Sequence, residues 1–93
     1  MLSIEEMRKI ARDACIDMIG KDLVYAHKEL CCDFHSVDIH FDGLFHYGLG
    51  MDTKEVPFVL GDETPMEFYA FVTVNPKTGE VTKDYENSTL PQQ

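Results

Sequence analysis

Residues 67–81, EFYAFVTVNPKTGEV, constrain the fold of this chain more than any other stretch. Side chains alternate across an extended strand, so Phe68, Ala70, Val72 and Val74 share one face while Tyr69, Phe71 and Thr73 share the other. Apolar groups on both faces mark a central strand, or one with a partner across its outer side. Pro76 then pre-sets a turn, and Gly79 supplies the left-handed position that closes it. A return strand over Glu80–Tyr85 follows. The C-terminal half is therefore committed to an antiparallel sheet.

What covers that sheet is written at the other end of the chain. Ser3 and Glu6 have capping-box spacing, in which the hydroxyl accepts from the backbone N–H of residue 6 and the carboxylate reaches back. Ile4, Met7, Ile10, Ala11, Ala14 and Met18 recur at steps of three and four, and Cys15 and Ile19 widen the stripe. This spacing predicts a one-sided helix that stops at Gly20. Beyond it, two readings stand. Asp22 caps a second helical segment to about Leu30, or the first helix continues with a kink at Gly20.

From Phe34 the period changes to two, with Val37, Ile39 and Phe41 alternating with Ser36, Asp38 and His40. Asp42-Gly43 is a two-residue hairpin signal. It predicts Phe41 opposite Leu44, His40 opposite Phe45 and Ile39 opposite His46, with His40 and His46 on opposite faces. Leu44–Gly50 reads as the return strand and Met51–Glu55 as a polar loop. Val56–Leu60 contains Pro57 and reads as an edge strand or an ordered loop. The expected fold is α+β: an N-terminal amphipathic helix, or two helical segments, on an antiparallel β-meander of three to five strands. One domain spans 1–86, followed by a flexible polar tail over 87–93.

Charge narrows the partners. The chain carries 8 Lys/Arg against 17 Asp/Glu, a formal net charge of −9. Residues 1–33 contribute −2 of this and residues 34–93 contribute −7. Such a surface repels phosphate backbones and anionic membranes and attracts basic partners. The cysteines, Cys15, Cys31 and Cys32, are odd in number and include an adjacent pair, which is no disulfide framework. Free thiols, together with Glu5 and Glu6 where a signal peptide carries positive charge, predict a cytoplasmic protein.

Strand, turn and short strand over Phe71-Val72-Thr73-Val74-Asn75-Pro76-Lys77-Thr78-Gly79-Glu80-Val81 resemble the ending of PepSY-type modules. The resemblance is strong over about fifteen residues and loose over the rest. It implies a helix packed on an antiparallel sheet and a regulatory or inhibitory role beside peptidases. It supplies no catalytic residue.

Candidate chemistry is sparse. His27, Cys31, Cys32 and His35 hold the residue types that bind zinc, but without a CxxC pair, and adjacent cysteines usually point apart. A cysteine nucleophile would need Cys32 with His35 or His40, or Cys15. Asp62-Glu63, Asp52 and Glu55 match solvated acidic loops better than a calcium site. No serine sits in a nucleophile elbow, and the glycines lack phosphate-loop spacing, so no cofactor is expected. The aromatics Phe45, Tyr47, Tyr69 and Phe71 are expected to line one sheet face, and an exposed apolar face marks a partner or dimer interface. The expected function is a non-enzymatic interaction or regulatory module acting through that face, on a protein partner or as a homodimer. The alternative is an acidic inhibitor or immunity-type protein that blocks a basic enzyme site, including as a nucleic-acid mimic.

Overall fold

A computed structural model describes residues 1–36, 42–52 and 67–91. Helix α1 (Ile4–Ile19) and a short α2 (Lys21–Ala26) lead through a 3₁₀ turn (Lys28–Leu30) into four strands. These are β1 (Cys31–His35), β2 (Phe45–Asp52), β3 (Glu67–Val74) and β4 (Val81–Lys83). They form one antiparallel meander in the order β1-β2-β3-β4. The chain is thus α+β, a helix on a four-stranded antiparallel sheet.

Both arms of the capping box at α1 are formed: Glu6 N–H donates to Ser3 Oγ, and Ser3 N–H donates to Glu6 Oε1, each at 3.1 Å. The chain breaks between α1 and α2 at Gly20, whose φ of 122° lies where a side chain would be strained. Gly20, not Asp22, is the residue that precedes α2, and Asp22 lies in its first turn.

The covered face of the sheet is built by alternation. Phe45, Tyr47, Leu49 and Met51 from β2 and Ala70, Val72 and Val74 from β3 are buried with Met7, Ala11, Ala14, Cys15 and Met18 of α1. Each large side chain removed from water there contributes roughly 1.5–3 kcal/mol. Met51, expected to open a polar loop, is instead a fully buried residue near the end of β2. The edge-strand reading of Val56–Leu60 lies outside the described residues.

The first hairpin departs from the two-residue-turn register. Cys31 pairs with Met51 and His35 with Tyr47, and Ser36 N–H donates to His46 O at 3.2 Å. Ser36 therefore meets His46, the residue the two-residue turn would set opposite position 39. Asp42 still makes a local turn, accepting from Leu44 N–H at 3.0 Å. Residues 37–41, with His40, lie outside the described residues.

The second hairpin forms as its sequence requires. Asn75 Oδ1 accepts from Lys77 N–H, Asn75 O accepts from Gly79 N–H, and Gly79 adopts φ 77°. Pro76 O accepts from Leu2 N–H at 2.8 Å, which ties the turn to the start of α1. β4 is shorter than the Glu80–Tyr85 expected. After it, Asp84 caps a turn by accepting from Asn87 N–H and Nδ2–H. The chain then returns to β3. Tyr69 and Thr89 exchange both backbone hydrogen bonds, at 2.9 and 2.8 Å, and Phe71 N–H donates to Ser88 Oγ. The flexible tail expected from residue 87 is thus docked through Leu90, because the outer edge of β3 has backbone groups that β4 leaves unmet.

Candidate functional site

The register divides the four aromatics expected on one face. Tyr47 stands opposite Val72 and Phe45 opposite Val74, so both side chains point under α1 and are buried. Tyr69 and Phe71 stand opposite Gly50 and Gly48, on the other face. Phe45 and Tyr47 are therefore core residues and cannot belong to an exposed face. The signal was in β2 itself: His46, Gly48 and Gly50 occupy its outer positions, so its aromatics had to be inner ones.

On the outer face, rings lean over the glycines. A Cβ at Gly48 would collide with the Phe34 ring and come within 3.0 Å of Phe71 Cδ1. One at Gly50 would meet Tyr69 Cε1 at 2.8 Å. Phe34 and Phe71 meet edge to face above Gly48, with centroids 5.7 Å apart. Phe34, from β1, was not among the expected aromatics, yet it is 45% exposed. Beside the pair lies a hollow of about 390 Å³ whose lining includes Phe34, Gly48 and Phe71. His46 and Thr73, cross-strand neighbours, line one end, and Asp84 and Asn87 line the β4 side. His46 Nε2 lies 2.8 Å from Asp42 Oδ2. Asp84 is held below the usual carboxylate range by the hydrogen bonds from the Asn87 side chain and backbone. No Lys or Arg is among the described residues of the lining.

A second polar cluster sits on the covered side. Asp33, on β1, accepts from Arg8 Nε at 2.9 Å and from Arg8 Nη2 at 3.1 Å. Tyr47 Oη donates to Asp33 Oδ2 at 2.9 Å, and Arg12 Nη1 lies 3.9 Å from the same oxygen. The Arg8 fork pulls the Asp33 carboxyl below its ordinary range, and Tyr47 adds to this. Burial, then the bond to Asp33, pushes the Tyr47 phenol far above its usual range. This cluster clamps α1 to the sheet edge. No spacing in the sequence announces it, since Arg8, Asp33 and Tyr47 meet only through the register.

The cysteine–histidine candidates are not brought together. Cys31 and Cys32 point to opposite faces of β1, with Cys32 exposed. His35 lies on the covered side, its ring parallel to that of Tyr47 at 6.4 Å, across the strand from Cys32. Cys31 Sγ–H donates to the backbone oxygen of His27. Cys15 is buried, donates to Ala70 O at 3.4 Å, and has its thiol pushed up to about 12 by burial. Among the described residues, no three His, Cys, Asp or Glu side chains are placed to hold a metal ion. No described helix is long and apolar enough to cross a membrane.

Fold and surface together define a small helix-on-sheet protein with one covered face and one aromatic face. No family model, curated protein or solved structure matches the chain.

Proposed function

We propose that this chain is a protein-interaction module whose working surface is the outer face of its sheet. The observation that carries this reading is the edge-to-face pair of Phe34 and Phe71 above a glycine floor, beside the hollow of about 390 Å³. A face built from rings resting on glycine presents apolar area that the fold itself does not need, and such area marks partner sites. A second copy of the chain is disfavoured as the occupant, because each copy carries −9. A basic protein partner fits.

The test compares affinity capture by the natural chain with capture by Phe34→Ser/Phe71→Ser. A Tyr25→Ser control alters an exposed ring on α2, away from this face. The expected result is a partner lost with the double variant and kept with the control, and a monomer in sedimentation. Equal capture by all three proteins overturns the reading.

The acidic inhibitor is a specific form of the same idea, favoured by the −7 balance of residues 34–93. The PepSY-type ending at residues 71–81 accords with an inhibitory role. Binding in this form weakens steeply with salt.

A further inference from the structure

We infer that the hollow beside Phe34 and Phe71 receives a cationic side chain, a guanidinium or an ammonium, from a basic partner segment. This rests on the interaction reading and adds the chemistry of what is recognised. Three observations converge on it. First, the hollow is the right kind of space: about 390 Å³ falls within the ~300–1,000 Å³ of ordinary ligand pockets. It is open to the surface beside two aromatic rings. Second, the rings are arranged to present π-surface. Phe34 and Phe71 meet edge to face, so they do not cover one another by stacking, and Gly48, which has no side chain, lets both rings rest against the strand. A cation within about 6 Å of such a ring is attracted by its quadrupole.

Third, among the described residues the lining holds a carboxylate and no Lys or Arg. Asp84 lines the β4 side, its carboxylate already oriented by the Asn87 N–H and Nδ2–H groups at 3.2 and 2.8 Å. It is ionised at neutral pH and is fixed by the turn it caps. His46 enters the lining in contact with Asp42, so the two together add no net positive charge. An apolar ligand would leave Asp84 facing a desolvated surface, and an anion would be repelled by it. A cation satisfies both the rings and the carboxylate. A guanidinium suits the site better than an ammonium, because it is planar, weakly hydrated and can lie against a ring while its N–H groups donate sideways to a carboxylate.

The test uses N-acetyl-arginine methylamide as the probe and the corresponding neutral citrulline derivative as its isostere, each titrated into the full chain and followed by amide NMR. The expected result is a saturable shift at Gly48, Phe71, Thr73 and Asp84 with the arginine probe. The citrulline probe binds more weakly by about fivefold or more, the size of one cation–π contact with one exposed ion pair. Asp84→Asn can keep the turn cap while removing the charge, and weakens the arginine probe alone. Thr73→Lys places a cation of the chain's own in the hollow and abolishes the response. Equal binding of both probes, or shifts that ignore both variants, overturns the inference. A partner captured through Phe34 and Phe71 yet indifferent to Asp84→Asn also overturns it, and leaves the interaction reading standing.

Discussion

The two faces of this sheet are built from the same strands by opposite rules. On the covered face, β2 and β3 present Phe45, Tyr47, Leu49, Met51, Ala70, Val72 and Val74, and α1 closes over them. On the outer face the same strands alternate His46, Gly48 and Gly50 against Tyr69, Phe71 and Thr73. The first face is filled by size. On the second, β2 sets Gly48 and Gly50 between its neighbours, and rings from both neighbours lean over those glycines. The contrast teaches that the covered face is packed by side-chain size against α1, whereas the outer face is packed by rings against glycine, with Phe34 left 45% exposed.

The sharpest way to break this contrast is chemical. Cys15 belongs to the covered face and Cys32 to the outer one. Burial holds the Cys15 thiol near 12, so almost none of it is thiolate at neutral pH, and reagent reaches it only when α1 lifts away. With a global stability of at least about 5 kcal/mol, alkylation of Cys32 outruns that of Cys15 by about a thousandfold or more. Peptide mass spectrometry over a labelling time course reads both. Rates within tenfold of each other would mean that the covered face opens readily and that the two faces do not differ as described.

Deletions give the next largest effect. Phe45→Ala empties a site of zero exposure and is expected to cost about 3–5 kcal/mol. Phe34→Ala removes a half-exposed ring with one aromatic neighbour and is expected to cost about 1 kcal/mol or less. Urea midpoints measure both. A large cost at Phe34 would assign the outer face a structural role and remove the reason to seek a partner there.

Much of the covered face is legible in the sequence. The steps of three and four in α1, the Ser3–Glu6 box and the alternation of β3 each rest on local geometry, and each forms as expected. The outer face is less legible because it depends on which strand lies opposite which. Asp42-Gly43 carries the chemistry of a tight hairpin, and a local reading pairs the strands across it. The ladder instead sets Phe34 opposite Gly48, three residues from that register. An odd shift carries every β1 side chain to the other face, so Phe34 joins Tyr69 and Phe71, while the β2–β3 register places Phe45 and Tyr47 with Val74 and Val72 in the core. The fate of the tail was hidden for a similar reason: nothing in Ser88-Thr89 reveals that Tyr69 and Phe71 leave backbone groups for them to meet.

The smallest expected effect lies at the seam of the covered face, where the Arg8 fork and the Tyr47 hydroxyl converge on Asp33. The Asp33 carboxyl titrates below its ordinary 3.8 in the folded chain, chiefly because Arg8 donates to the ionised form. A lowered folded-state value means that the unfolded chain binds the proton more tightly. The contribution is therefore complete above the unfolded value and is lost as pH falls through the folded one. Asp33→Asn keeps an acceptor for Tyr47 and removes the charge. At neutral pH it is expected to cost about 1 kcal/mol, since the Arg8 side chain is half exposed and solvent screens the pair. Well below pH 3.8 the natural chain loses the same contribution, and the two proteins converge. Urea midpoints across this range decide the matter. A gap that stays constant with pH would show that the clamp works through the geometry of its hydrogen bonds alone, and that the charge on Asp33 does nothing to hold α1 against the sheet.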